Sequence, residues 1–230
     1  MRNNFELTLY EDSAELVVGA ANELMKAIAR RLAEKKVFHL ALTGGPLGTE
    51  FAHKLVGLMN DAGDLTGLNI WFSDERFDTA DSPLRNSRPV RDGLNNSSVT
   101  VHEVISSDGG VSVYEAADSY VAQLRGVKMD VCILGLGPDG HVASLFPMHW
   151  SSQATEAAIA IVDSPKPPAE RVSFSMAFIN ASDQVWIIAS GKIKAAAAKA
   201  VLRADASVPA GHVHAAGLTR LLLDTEAFSR

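Results

Sequence analysis

The segment Gly135-Leu136-Gly137-Pro138-Asp139-Gly140-His141 sets a carboxylate and an imidazole two positions apart in a glycine-rich turn. Histidine changes charge near neutral pH and is suited to moving protons, and a nearby aspartate can orient its ring. The same residues also fit an ordinary turn in which His141 only caps or packs. Ser73-Asp74-Glu75-Arg76 gathers two carboxylates and a guanidinium. Such a group can orient a hydroxyl or a histidine and hold a phosphate or a developing oxyanion, or it can be a solvated loop with a surface ion pair. Thr43-Gly44-Gly45 offers backbone N–H groups unshielded by side chains, as a phosphate at a helix N-terminus or a plain tight connection would require. It lacks both the Gly-Lys-Ser/Thr ending of a Walker A loop and the full Gly-x-Gly-x-x-Gly pattern, which disfavours a nucleotide. His39, His53, His102, His149, His212 and His214 have no comparable setting. His212-Val213-His214 reads as surface or strand sequence, because no Cys or Glu completes a ligand spacing, and no metal is expected.

These residues need elements to carry them. Apolar runs of strand length alternate with segments of helical period: strands at Phe5–Leu9, Val37–Leu42, Leu68–Phe72, Val131–Leu134, Ala157–Val162, Val172–Phe178, Val185–Ala189 and Leu221–Leu223. Helices are expected after Asp12-Ser13, over Thr49–Met59 and Val111–Leu124, and around Lys194–Arg203. The proline-rich stretch Ser164-Pro165-Lys166-Pro167-Pro168 is a stiff loop. The pattern predicts one α/β domain over residues 1–230, a three-layer αβα arrangement whose mostly parallel, Rossmann-like sheet carries helices on both faces. In such a sheet the segments beginning at Thr43, Ser73 and Gly135 all leave the carboxyl ends of strands, where ligands bind, so three distant loops converge on one crevice.

Composition narrows the partners. The 230 residues are 47% hydrophobic, enough for a sizeable core, and 21 Lys and Arg against 27 Asp and Glu give a formal net charge of -6. No attraction to nucleic acid or to an anionic membrane is expected, so any cationic site is local. Cys132 lies in the apolar run Val131-Cys132-Ile133-Leu134 and reads as a buried, inert thiol, which fits a reducing cytoplasm. The polar start Met1-Arg2-Asn3-Asn4-Phe5-Glu6 shows no signal-peptide core, and a cytoplasmic location is expected.

Four blocks resemble the 6-phosphogluconolactonase family: Thr43-Gly44-Gly45; Trp71 to Arg76 with Asn86 and Arg91; Leu134 to Pro147; and Asp163 to Arg171. The resemblance covers nearly the whole chain, and the last two blocks are highly specific together. It implies hydrolysis of 6-phosphoglucono-δ-lactone to 6-phosphogluconate in the oxidative pentose phosphate pathway, without metal or organic cofactor, on the fold shared with glucosamine-6-phosphate isomerases. Within it, His141 is expected as general base and then general acid, in a polar network with Asp74 or Asp139, and Arg76 as stabiliser of negative charge. Phosphate falls to Thr43 and the Gly44-Gly45 amides with Arg171, Lys194 and Lys166. The partner is a small sugar-phosphate lactone, and the protein a monomer or small homo-oligomer. Two departures stand out: Pro46-Leu47-Gly48 replaces the usual Ser-Thr-Pro after the glycines, and Arg85 precedes Asn86 where Ser is common, adding a cation.

Two other functions are compatible with such a chain. A glucosamine-6-phosphate isomerase/deaminase shares the Asp-Gly-His segment but typically carries a catalytic Glu shortly after it, where Ser144-Leu145-Phe146-Pro147 stands here. A noncatalytic sugar-phosphate sensor would need no His141, and the chain carries neither a helix-turn-helix module nor a basic patch to act on DNA.

Overall fold

In the computed structural model, residues 4–34, 36–148, 150 and 153–229 are described. His149 and the first three residues, both read above from sequence, lie outside them. In chain order the elements are β1 (Phe5–Tyr10), α1 (Ser13–Ala33), β2 (Phe38–Leu42), α2 (Gly45–Asp61), β3 (Leu68–Phe72), β4 (Asp74–Arg76), α3 (Arg88–Gly93), β5 (Thr100–Val101), α4 (Val113–Gln123), β6 (Val131–Gly135), β7 (Ala158–Ile161), β8 (Arg171–Phe174), α5 (Met176–Ala181), β9 (Gln184–Ala189), α6 (Ala195–Arg203) and β10 (Leu218–Asp224).

Successive strand side chains point to opposite faces of the sheet, and here both faces are covered. Phe38, Leu40 and Leu42 of β2 join Ile70, Phe72, Ile133 and Ile188 in one core with α1 and α2. Ala41, Trp71, Cys132, Leu134 and Ile187 enter the opposite core with α4, α5 and α6. Leu40, Ile70 and Ile133 are wholly buried, each worth roughly 1.5–3 kcal/mol relative to exposure. The helices start where short polar side chains accept otherwise orphaned N–H groups: Asp12 from Glu15 before α1, and Ser112 in a reciprocal capping box with Glu115 before α4. Helix α2 is different. Its N-cap is Gly44, which has no side chain to satisfy the first turn, and Pro46 sits inside that turn.

The main sheet has seven parallel strands in the order β1-β10-β9-β6-β2-β3-β5. From β2 the chain crosses to β3 on one side, and from β6 it travels to β9 on the other. The gap between β2 and β6 is therefore a topological switch point, where ligands collect outside the carboxyl ends of the strands. The Thr43 hydroxyl accepts the Gly135 N–H there at 3.1 Å and ties the two strand ends together.

Three expectations are corrected. Ser73 to Arg76 is not a free loop: its last three residues form β4, which pairs antiparallel with β8 in a second, three-stranded sheet β4-β8-β7. The Ala157–Val162 run belongs to that sheet as β7. The Val172–Phe178 run is two elements, because Ser175 accepts the Phe178 N–H and starts α5 where β8 ends. Short pieces with little apolar content, α3 and β5, carried no sequence signal.

Candidate active site

At the carboxyl ends of β2, β6 and β9, flanked by the small sheet, lies a cavity of about 440 Å³. Its walls bring together Thr43, Gly44, Gly45, Asp74, Arg76, His141, Lys166, Arg171 and Lys194. These nine sequence-derived residues thus share one crevice, and Asp139 touches it through His141.

The His141 loop explains its own glycines. The His141 ring Nδ1 lies 2.5 Å from Asp139 Oδ1. A Cβ on Gly137 would sit 2.0 Å from that Nδ1 and 2.5 Å from the same carboxylate oxygen, so any side chain at 137 displaces the pair. Gly140 takes φ +84, and a Cβ there would press 2.6 Å from Val208. With Nδ1–H donated to Asp139, the free lone pair belongs to Nε2. Burial pushes the His141 pKa down, the Asp139 hydrogen bond and charge oppose this, and Lys166 adds to the depression. Burial therefore favours the neutral imidazole, whose Nε2 can accept a proton. Partial burial works against ionised Asp139, yet the hydrogen bond and charge of His141 hold its carboxyl below the usual range.

Strand alternation divides Asp74-Glu75-Arg76. Asp74 and Arg76 face the cavity, and Glu75 turns inward. Asp74 is fully engaged: Oδ2 accepts from Ser144 Oγ at 2.7 Å, Oδ1 accepts from Asn86 Nδ2 at 3.1 Å, and Arg171 Nη1 stands 3.9 Å away. Its position therefore joins β4, the His141 loop and β8. Asn86 also packs against the glycine loop, since a Cβ on Gly44 would lie 1.8 Å from Asn86 Oδ1. Glu75 is wholly buried and accepts the backbone N–H groups of Arg76, Asn86 and Ser87 at 2.8, 2.6 and 2.9 Å. Burial pushes its pKa up, against the opposing pull of Arg85 and those hydrogen bonds.

Arg85 is not an additional cation for the site. It is buried on the far side, with Nε 3.5 Å from Glu75 and Nη2 donating to the Val104 carbonyl at 2.6 Å. Arg91 likewise points away, toward Asp92 and the Ala80 carbonyl. His212 and His214 are engaged with the Ala206 carbonyl and with Asn180, outside the cavity. Among the described residues no group of three His, Cys, Asp or Glu side chains is arranged to hold a metal ion, and no helix is long and apolar enough to cross a membrane.

The cations share one wall. In the β4–β8 register Arg76 sits directly opposite Arg171. Like charges at opposed strand positions repel, and the Asp74 carboxylate beside Arg171 offsets part of that repulsion. Arg171 spends Nε and Nη2 on the Pro168 and Lys166 carbonyls, which pins the proline loop and holds Lys166 at the rim. Burial pulls the Arg171 pKa down, with Asp74 opposing and Arg76 reinforcing. Arg76 donates to the Leu84 carbonyl, while its buried Nε has no partner among the described residues. Lys194 gives one proton to the Leu136 carbonyl at 2.7 Å, and burial together with Lys166 lowers its pKa. Four cations and the uncapped first turn of α2 thus converge on a half-enclosed space, where a multiply charged oxyanion would be held strongly.

Asn86, Ser144 and Ser190 also contribute to the site or its frame, and the sequence reading assigned them no role. Their roles come from contacts 12 to 70 residues away along the chain.

The chain is similar to known proteins over nearly its whole length. Residues 11–222 match the model of the family described as glucosamine-6-phosphate isomerases/6-phosphogluconolactonase. A 6-phosphogluconolactonase of Streptomyces coelicolor is 34% identical over 250 residues, covering 100% of this chain and 96% of its own. The Homo sapiens 6-phosphogluconolactonase is 35% identical over 210 residues, covering 85% of this chain and 81% of its own. The crystal structure of 6-phosphogluconolactonase from Thermotoga maritima shares the fold with TM-score 0.83 at 24% identity, over 96% of this chain and 100% of that one. A monomeric glucosamine-6-phosphate deaminase shares it too, with TM-score 0.81 at 18% identity over 97% and 98% of the two chains.

Proposed function

The chain belongs to the glucosamine-6-phosphate isomerase/6-phosphogluconolactonase family, and from that premise we propose that it hydrolyses 6-phosphoglucono-δ-lactone to 6-phosphogluconate with His141 as the acid–base residue. The observation that carries this is the His141–Asp139 pair at 2.5 Å, opening on a cavity walled by Arg76, Lys166, Arg171 and Lys194. Nε2 of His141 takes a proton from water as the water oxygen bonds to the lactone carbonyl carbon. The carbonyl oxygen becomes an oxyanion, and Arg76, which lines the cavity, sets a positive charge beside it. When the intermediate collapses, the bond from that carbon to the ring oxygen breaks, and the imidazolium returns its proton to the departing oxygen. Asp139 keeps the ring in the required tautomer throughout. Asp74 acts as the bracket that fixes Arg171 and the His141 loop.

The phosphate is assigned to the amides at the start of α2 with Lys166, Arg171 and Lys194, beside the Thr43 hydroxyl. Pro46 withholds one amide from that turn, and these three cations supply the missing attraction. We place the activity in the cytoplasm, without nucleic-acid or membrane partners, on the net charge of -6 and the buried, unpaired Cys132.

The fold is common to lactonase and deaminase, so chemistry has to separate them. After His141 this chain has Ser144-Leu145-Phe146-Pro147, with no carboxylate to match the Glu of the deaminase pattern, and the Ser144 hydroxyl is given to Asp74. In the deciding experiment, fresh lactone is hydrolysed by wild type and His141→Ala, after subtraction of the spontaneous rate. The variant is expected to lose at least about 100-fold in turnover. Ammonia release from glucosamine 6-phosphate with no acceleration of lactone hydrolysis would replace the lactonase reading.

A further inference from the structure

The carboxylate of Asp224, at the end of β10, is buried and touches none of the groups assigned to chemistry. Its four short contacts all run to the two turns beside it. Oδ2 accepts from Ser190 Oγ at 2.6 Å and from the Gly191 N–H at 3.0 Å. Oδ1 lies 3.1 Å from the same Gly191 nitrogen and accepts the Ala227 N–H at 2.7 Å. Asp224 thus clamps the chain where it leaves β9, a central strand of the site, and anchors the clamp in its own following turn.

The clamped turn delivers a cation. Gly191 reverses direction with φ +89, and its carbonyl accepts the Lys194 N–H at 2.9 Å, closing a 3-10 turn over Lys192–Lys194. Lys194 then reaches back across the end of β6 to the Leu136 carbonyl, and both Ser190 and Lys194 line the cavity. A lysine on a surface turn would ordinarily lose much rotamer entropy on binding an anion. Here both ends of the side chain are fixed, the backbone by Asp224 through Ser190 and Gly191, and the ammonium by Leu136. The cost of ordering is met on folding instead of on binding.

We propose that Asp224 is a positioning residue for the phosphate end of the site, acting through the Ser190–Gly191 turn to hold Lys194 at its place in the cavity wall. This rests on the assignment of Lys194 to phosphate, and the test keeps the two apart. Steady-state hydrolysis of the lactone is measured for wild type, Asp224→Ala, Lys194→Ala and the double variant, with inorganic phosphate as a competing ligand. Asp224→Ala is expected to raise KM and the phosphate inhibition constant about tenfold while kcat stays within about twofold, the pattern of lost binding without lost transition-state chemistry. Lys194→Ala is expected to raise both constants at least as far. In the Lys194→Ala background the Asp224→Ala effect should vanish, because a residue that works through Lys194 has nothing left to position. Asp224→Asn keeps an acceptor for Ser190 and carries the same cycle, with about a threefold effect, where the alanine variant folds poorly. An unchanged KM in Lys194→Ala would remove the phosphate assignment, and the positioning role with it. Raised KM in Lys194→Ala beside unchanged KM in the Asp224 variants, or effects that multiply in full in the double variant, would leave the phosphate assignment standing and overturn the role of Asp224.

Discussion

Strands β2 and β6 lie side by side and parallel, and each end of the pair carries a histidine and an aspartate. At the starting end the Asp130 carboxylate accepts the backbone N–H of His39 at 2.8 Å, and the His39 ring Nδ1 accepts the Trp71 Nε1–H at 3.1 Å. At the finishing end the Asp139 carboxylate meets the ring Nδ1 of His141 itself. Burial depresses the pKa of both histidines, so burial does not distinguish them. What differs is which atom the carboxylate touches. Asp130 fixes a backbone and leaves the ring to a tryptophan in the core; Asp139 holds Nδ1 and leaves Nε2 uncommitted. One arrangement is a rivet and the other is the base we propose.

The contrast is broken most severely at Gly137. Gly137→Ala is expected to lower kcat/KM by at least about 100-fold, because its Cβ would occupy the space of the His141–Asp139 contact and move a reacting group by an ångström or more. The check is lactone hydrolysis beside a thermal melt; near-wild-type turnover in a folded variant would show that the pair need not be held as found. Asp139→Asn comes next, with about 10- to 100-fold lost from kcat as the tautomer is released. Its pH profile adds a sign. Asp139 supports the imidazolium, so its neutralisation lowers the His141 pKa further, and the acidic limb of kcat/KM moves to lower pH. A limb that stays in place or rises would separate Asp139 from the titrating group.

The two ends also differed in how far sequence could reach. The finishing ends were legible because polar segments follow apolar strands directly at Thr43, Ser73 and Gly135, and parallel topology makes such ends neighbours. The partition within Asp74-Glu75-Arg76 was not legible. Three charged residues have poor strand propensity, and β4 exists only because β8 supplies its hydrogen bonds from nearly a hundred positions away. Once it is a strand, period-two alternation sends Glu75 inward to meet Arg85 and turns an expected site cation into a buried ion-pair partner. The seven residues from Val172 to Phe178 read as one apolar run, and only the cap contact between Ser175 and Phe178 shows where strand gives way to helix. Long-range hydrogen bonds such as that of Ser144 to Asp74 have no local trace at all.

The smallest effect lies at the starting end and appears only in stability. Trp71 stacks on His102 at 3.8 Å with its ring nearly parallel, and it donates to His39, so two imidazoles bracket one indole. His102 in turn contacts the Asn69 side chain at 2.9 Å. A protonated His39 has no lone pair on Nδ1, and the Trp71 N–H would lose its acceptor. Burial holds both rings below their usual pKa; Asp130 opposes this at His39, while His39 itself reinforces it at His102. In the unfolded chain these rings take up protons first, near pH 6.5. Their contribution to stability is therefore full above that pH and is lost as pH falls through it toward the lower folded values. His39→Gln retains an acceptor for Trp71 but cannot titrate. Its activity at pH 7.5 is expected within about twofold of wild type, as for a substitution outside the site, and its melting temperature should fall less than that of wild type between pH 7.5 and 5.5. Equal slopes for the two proteins would mean that this end of the strand pair is a rivet without a titrating part.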